Sequence, residues 1–161
     1  MIESQLRQFS ILVGQKLKEK RYWITCAESC TGGGITKAIT DTAGSSAYLD
    51  RGFVTYSNAA KQDLLGVKEA TLTIHGAVSA EVVREMAVGA LHAANADLAI
   101  AVSGFAGPQG GGEGKPVGTV WFGFAEGNRV LLRKKHFVGD RAAVRLKTAI
   151  FALRTIFEEM L

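Results

Sequence analysis

The strand-to-helix junction at residues 27–34 (AESCTGGG) is the sequence feature that most constrains the fold and the kind of site this chain can form. It stands between a short apolar run at 22–26 and a helical pattern at about 35–39. A hydroxyl, a thiol and three glycines at such a junction favour a nucleophile or a bound anion, because the first N–H groups of a helix lack intrahelical partners and lie at its positive end. The alternative is an ordinary cap, with glycines that only allow the bend. The junction alone leaves both interpretations open.

Periodicity along the chain predicts alternating helices and strands. Helices are expected at about 3–20, 31–40, 58–66, 79–94 and 141–160, and strands at 22–27, 48–56, 98–102, 117–125 and 129–138. Asn58 and Ser79 are the predicted N-caps of two of these helices, and Gly66 is a predicted stop. The order predicts one α/β domain over residues 1–161, with helices on both faces of a mixed sheet.

Three segments are expected to meet at one edge of this sheet. In open α/β sheets, ligands bind beyond the carboxyl ends of parallel strands. Residues 28–33 and 103–116 follow predicted strands, and residues 55–61 include the end of another. We therefore expect the functional site where these segments converge.

Composition narrows the class of protein. The 161 residues are 47% apolar and 21% charged, which is typical of a globular domain. The net charge of +4 is scattered, which argues against nucleic acid as a partner and suits a small anionic ligand. No apolar run reaches the length of a membrane span, and the apolar faces of the long helices permit a homo-oligomer. Cys26 and Cys30 fit neither a zinc site nor a disulfide framework, so a reduced cytoplasmic protein is predicted.

Two familiar kinds of site do not fit. The phosphate-binding P-loop pattern nearly matches before Lys115, but Gln109 replaces a required glycine and Pro116 a required Ser or Thr. A Ser-His-Asp set is not convincing either. His92 and His136 fall in a predicted helix and a predicted strand, and His75, in a turn, is a minor candidate.

A serine with a lysine is the combination that remains. Tyr56 stands at a strand end, and Lys61 follows one helical turn later. A lysine acts as a general base when its pKa is lowered, and a tyrosine hydroxyl can relay a proton. The alternative is that Lys61 is a solvated helix residue, because spacing alone does not bring it to Ser29.

Two arginines begin the last helix. Arg141 and Arg145 lie four residues apart on one face, at the end where acidic residues are preferred. An anionic group such as phosphate would explain them. The alternative is a pair of surface arginines.

Six motifs, in order, resemble one known family. They are 27–33 (AESCTGG), 44–46 (GSS), 56–61 (YSNAAK), 76–79 (GAVS), 104–108 (GFAGP) and 115–120 (KPVGTV). Together they resemble the CinA C-terminal domain family, the nicotinamide-nucleotide amidohydrolases, over residues 5–158. This resemblance implies a three-layer α/β/α sandwich with a mixed, mostly parallel five-stranded sheet. It also implies metal-free, cofactor-free hydrolysis of nicotinamide mononucleotide to nicotinate mononucleotide and ammonia, in pyridine nucleotide salvage.

The resemblance also implies roles for individual residues. Ser29 would be the nucleophile, Lys61 its general base and Tyr56 an aid to proton transfer. The expected substrate-binding residues are Cys30, Thr31, Gly32, Gly33, Ser103, Gly104, Arg141 and Arg145. Within this set, the backbone around Cys30 and Thr31 would form the oxyanion hole, and Arg141 or Arg145 would face the phosphate.

Three alternatives stay open. In the pocket loop, Phe105 stands where isoleucine is commoner in the family, Gln109 where Asp or Gly is usual, and Gly114 replaces an acidic or proline-containing approach. The chain could therefore be a serine amidase for another amide, or an inactive nucleotide-binding paralogue. In the third alternative Cys30 is the nucleophile, with a thiol pKa lowered by the helix end.

Overall fold

The computed structural model describes residues 1–112 and 114–161, and Glu113 lies outside the described residues. The helices are α1 (Ile2–Lys20), α2 (Gly34–Thr40), α3 (Asn58–Leu65), α4 (Glu69–His75), α5 (Ala80–Ala93) and α6 (Arg141–Thr155), with a 3₁₀ turn at Ser45–Ala47 and a π-helical turn at Ile156–Met160. The strands are β1 (Ile24–Glu28), β2 (Phe53–Val54), β3 (Leu98–Gly104), β4 (Thr119–Glu126) and β5 (Arg129–His136). The predicted α and β order is confirmed except for α4, a helix that the sequence analysis did not predict.

The strands form one mixed sheet in the order β2-β1-β3-β4-β5. β1 pairs in parallel with both β2 and β3, whereas β3–β4 and β4–β5 are antiparallel pairs, so four of the five strands run in the same direction. Helices α1, α2 and α6 pack on one face, and α3, α4 and α5 on the other. The predicted three-layer α/β/α sandwich is confirmed.

The two faces of the sheet differ in side-chain size. In β3, Ile100 and Val102 face the helices α1, α2 and α6, while Ala99 and Ala101 face α5. The small side chains let α5 lie close to the sheet, and a Cβ on Gly123 of β4 would come within 2.6 Å of a backbone oxygen of α5. A Cβ on Gly89 of α5 would meet the Leu65 carbonyl of α3 at 1.8 Å. Close packing therefore holds α3 in place against α5.

The main differences from the predicted boundaries concern β2, α2 and α3. The strand expected at 48–56 is only two residues long, because the chain enters it from a 3₁₀ turn that buries Tyr48 in the core. Helix α2 begins at Gly34 rather than near 31, because the preceding residues form a turn. The N-cap of α3 is Ser57, whose hydroxyl accepts a hydrogen bond from the Ala60 N–H at 3.0 Å, so the prediction of Asn58 as the cap was wrong.

Other local predictions are confirmed. Gly66 ends α3 in the left-handed conformation with a φ of 71°, and the Ser79 hydroxyl caps α5 through the Val82 N–H at 3.2 Å. Between Ile2 and Met160, no helix among the described residues is long and apolar enough to cross a membrane.

Candidate active site

The glycine-rich turn after β1 presents Ser29 at the carboxyl edge of the sheet. Ser29 directly follows the last residue of β1 and is 8% exposed. Its carbonyl accepts the Gly32 N–H at 3.1 Å, which closes the turn. Gly32 and Gly33 have φ values of +59° and +100°, where side chains are strained. Glycine is therefore needed for the chain to turn sharply enough to leave Ser29 facing away from the strand.

The Glu28 side chain stabilises this turn through hydrogen bonds. Its carboxylate is fully buried and accepts four hydrogen bonds. One oxygen accepts the Thr31 hydroxyl at 2.6 Å and the Ile35 N–H at 2.9 Å. The other accepts the N–H and the hydroxyl of Thr36 at 2.9 and 2.6 Å. A buried carboxylate is tolerated because two of its donors belong to the first turn of α2, at the positive end of the helix.

Exchanging Glu28 for glutamine should destabilise the fold. The side-chain amide nitrogen of Glu28→Gln would face donors, so buried hydrogen bonds would be lost, and we expect the free energy of unfolding to fall by about 3 kcal/mol. Denaturant unfolding measures this. As a control, Thr36→Val removes one hydroxyl donor and should cost about 1 kcal/mol. Equal stability of Glu28→Gln and the wild type would contradict this account of the turn.

Arg145 of α6 holds the same turn from the other side. Its Nε donates to the Cys30 carbonyl at 3.1 Å and its Nη2 to the Thr31 carbonyl at 3.2 Å. Two of its N–H groups are thus used on the protein backbone, and Arg145 does not line the cavity next to Ser29. The Thr31 hydroxyl likewise donates its hydrogen bond to the Glu28 carboxylate. Arg145 and Thr31, which were both predicted to bind substrate, therefore shape the turn.

Lys61 reaches Ser29 from α3. Its Nζ lies 3.1 Å from the Ser29 Oγ and 3.2 Å from the Tyr56 carbonyl oxygen. Its side chain is only 1% exposed, and burial lowers the pKa of the amine from its ordinary value. The interpretation of Lys61 as a solvated helix residue was therefore wrong. A buried amine beside a serine hydroxyl is the arrangement in which lysine acts as a base.

A cavity of about 290 Å³ opens over this pair. It is lined by Ser29, Cys30, Tyr56, Asn58, Lys61, Ala77, Val78, Ser103, Gly104, Phe105, Ala106, Gln109 and Arg141. The lining combines the carboxyl ends of β1 and β3, the segment after β2 and the start of α6. The predicted convergence of three segments at one sheet edge is confirmed.

Arg141 spans two parts of the cavity wall. Its Nη1 donates to the Gly107 carbonyl at 2.8 Å, and its Nη2 donates to the Tyr56 hydroxyl at 3.2 Å. These contacts hold the guanidinium at the mouth of the cavity, close to solvent. Its charge makes the site electropositive, since none of the described lining residues is Asp or Glu. The cavity therefore suits an anionic ligand.

Backbone donors adjoin the nucleophile. Among the described residues, the N–H groups of Cys30 and Thr31 donate to no other residue, although the carbonyls of both residues are held by Arg145. Donors that are held in place but unpaired can stabilise charge on a substrate oxygen.

Cys30 has the wrong protonation state for a nucleophile. Burial raises the pKa of its thiol to about 11, and the nearby Arg145 and Lys61 lower it by less. The expected lowering of this pKa by the helix end was therefore wrong. Since the thiolate is the reactive form, a thiol that stays protonated near neutral pH is a weak nucleophile.

Some lining residues were missed from the sequence. Asn58 was assigned to a helix cap, but Ser57 fills that role and leaves the Asn58 side chain at the cavity. The signal was present, because Ser57 is an equally good capping residue one position earlier. Gln109 was expected in the pocket loop but not among the substrate-binding residues, and it also lines the cavity. Ala77 and Val78 belong to the motif at 76–79, which had no expected role in binding, and they also line the cavity.

Metal-ligand residues do not gather in the part of the chain that the structure describes. Across residues 1–112 and 114–161, no group of three or more His, Cys, Asp or Glu side chains could hold a metal ion.

Comparison with known proteins places the chain in a family. The sequence model of the CinA C-terminal domain matches residues 7–160. The chain belongs to this family. This CinA domain is 62% identical over 162 residues to a protein of Enterobacter agglomerans named nicotinamide-nucleotide amidohydrolase PncC, covering 100% of this chain and 99% of that protein. A protein of Escherichia coli K12 with the same name is 56% identical, with coverage of 100% and 98%.

A solved structure also resembles the CinA domain. The crystal structure of the competence damage-inducible protein A (ComA) from Klebsiella pneumoniae superposes with a TM-score of 0.94. The two chains are 40% identical, and the match covers 96% of each.

The six motifs of the CinA domain have distinct structural places. Four of them, at 27–33, 56–61, 76–79 and 104–108, contribute lining residues to the cavity. The motif at 44–46 leads into the 3₁₀ turn that buries Tyr48. In the motif at 115–120, the Lys115 Nζ donates to the His75 carbonyl at 2.8 Å, which ties the loop after β3 to the end of α4. The motif at 115–120 therefore supports a wall of the cavity, whereas the motif at 44–46 supports the core.

Proposed function

We propose that this CinA domain, as a single amidohydrolase domain over residues 1–161, hydrolyses the carboxamide of nicotinamide mononucleotide to nicotinate mononucleotide and ammonia. The chain is an amidohydrolase, like the relatives to which it is 62% and 56% identical over its full length. One observation carries the proposed serine–lysine mechanism: the buried Lys61 Nζ lies 3.1 Å from the Ser29 Oγ. The mechanism uses no metal or cofactor.

In the first step Lys61 activates Ser29. The neutral amine accepts the hydroxyl proton as the Ser29 Oγ attacks the carboxamide carbon, and a C–O bond forms. Burial lowers the pKa of Lys61, so the neutral form costs less than it would in water. The Tyr56 carbonyl, 3.2 Å from Nζ, orients the amine. An assisting role of the Tyr56 hydroxyl in proton transfer stays a prediction, since this hydroxyl contacts Arg141.

The later steps reuse the same groups. The Cys30 and Thr31 N–H groups would donate to the oxygen that becomes negative in the tetrahedral intermediate. The Lys61 ammonium then returns its proton to the leaving nitrogen, the C–N bond breaks, and ammonia departs. Water attacks the acyl–Ser29 ester with Lys61 again as the base, which releases the carboxylate product and restores the serine hydroxyl.

We propose that Arg141, rather than Arg145, binds the phosphate. Arg141 lines the cavity, whereas Arg145 is engaged with the turn. Replacing Arg141 with methionine should raise KM about 10- to 100-fold and change kcat less, because it removes a charge-assisted contact to a remote group.

The matched control is Arg145→Met, one helical turn later on α6. It loosens the turn that carries the nucleophile, so it should lower kcat more than it raises KM. Steady-state kinetics of both variants test the assignment. A raised KM in Arg145→Met with an unchanged KM in Arg141→Met would reverse it.

The proposed function is tested by product release from the purified chain. Incubation with nicotinamide mononucleotide should yield equal amounts of ammonia and nicotinate mononucleotide, and a chelator should have no effect. A folded wild-type chain that releases neither product would overturn this substrate and favour another amide or a binding role.

A further inference from the structure

The ring of Phe105 is held in place at the catalytic cavity. Phe105 directly follows β3 and lines the cavity, half-buried. Its backbone is fixed by two hydrogen bonds, from its N–H to the Thr119 carbonyl at 3.0 Å and from the Gly118 N–H to its own carbonyl at 2.7 Å. The ring is therefore attached to a rigid part of the sheet edge.

The loop after β3 folds back over this ring. A Cβ on Gly110 would lie 3.3 Å from the ring carbon Cδ1 of Phe105, and Gly110 has a φ of +108° that strains other residues. The backbone of a glycine therefore supports the ring on one side. Within the described residues, no Lys or Arg forms a cation–π contact with Phe105, whereas the other cavity aromatic, Tyr56, already contacts Arg141.

The proposed substrate carries a positive charge that the cavity must accept. The ring nitrogen of nicotinamide mononucleotide is bonded to ribose, which makes the ring a cationic pyridinium. The described lining residues include the Arg141 guanidinium, the Lys61 amine and no carboxylate. An aromatic face attracts a cation through its quadrupole, and it does so more strongly where water is excluded.

We propose that Phe105 is a specificity-determining residue that selects the cationic pyridinium ring over a neutral ring of similar size. This inference rests on the proposed function, since it concerns the ring of the same substrate. The comparison ligand is the reduced nucleotide, in which the ring is a neutral dihydropyridine and the carboxamide, ribose and phosphate are retained.

Binding to a chain that cannot turn over isolates this effect. Dissociation constants for the oxidised and reduced nucleotides are measured by calorimetry with Ser29→Ala and with Ser29→Ala carrying Phe105→Leu or Phe105→Tyr. Phe105→Leu should weaken the oxidised ligand about 2- to 30-fold more than the reduced one. Phe105→Tyr keeps an aromatic face and should preserve the ratio of the two dissociation constants measured with Ser29→Ala alone, called here the wild-type ratio. The reduced ligand serves as the control for folding.

Three results would overturn the proposal. The first is equal weakening of both ligands by Phe105→Leu, which would mean that the ring only packs. The second is loss of the wild-type ratio in Phe105→Tyr. The third concerns Glu113, an acidic residue of the same loop sequence that lies outside the described residues. Loss of the ratio in Glu113→Gln with Phe105 intact would assign the selection to the carboxylate of Glu113. Wild-type turnover of nicotinamide mononucleotide together with any of these would leave the proposed function standing.

Discussion

Replacing Ser29 with alanine is expected to lower kcat for nicotinamide mononucleotide by about 10⁴- to 10⁶-fold, because the residues of a nucleophile–base pair act as a unit. The Oγ that Lys61 contacts at 3.1 Å is lost, so no acyl-enzyme can form. Binding should survive, since the cavity wall and Arg141 remain. Ammonia release measures the loss, and calorimetry with the intact nucleotide measures the binding.

The control for this prediction is Cys30→Ala. Cys30 also lines the cavity, but its raised pKa keeps the thiol protonated, so most of the activity should remain. Activity that survives Ser29→Ala and disappears in Cys30→Ala would make the thiol the nucleophile. Nucleotide binding without turnover by the wild type would instead support a binding protein that has lost catalysis.

Replacing Lys61 with methionine should lower kcat by about 10²- to 10⁴-fold, the usual contribution of a general base. Methionine keeps an unbranched, apolar side chain in a site that is 1% exposed, so the fold should be retained. We also expect the free energy of unfolding to rise by about 0.5–2 kcal/mol, because a buried amine is replaced by an apolar group. Kinetics and denaturant unfolding of one variant therefore test both statements.

The pH dependence of the wild type follows from the lowered pKa of Lys61. Activity should rise with pH as the amine loses its proton, with an inflection below the ordinary lysine value of about 10.4. Between the lowered folded pKa and that ordinary value, the unfolded chain binds more protons than the folded one, so the Lys61 contribution makes stability rise with pH. Lys61→Met should lack this contribution. A Lys61→Met chain that keeps full activity would contradict the base role, and one that keeps the same pH slope of stability would contradict the lowered pKa of Lys61.

The fold was predictable because its signals are local. The strands expected at 98–102, 117–125 and 129–138 from periodicity are present as β3, β4 and β5. The length of β2 was overestimated, because only two of the β-forming residues at 48–56 pair with the neighbouring strand as part of β2. The cap of α3 was misplaced by one residue, because Ser57 and Asn58 are both good capping residues and only hydrogen-bond geometry separates them.

For the site, the sequence by itself determined that Ser29 stands on a glycine-rich turn between a strand and a helix, since the change in periodicity and the need for positive φ are encoded within a few residues. Only the tertiary structure decided that Lys61, 32 residues away, is buried against Ser29. It also decided that Arg145 supports the turn while Arg141 faces the cavity. These outcomes depend on distances through space and on exclusion of water, and both arise only when separate elements pack together.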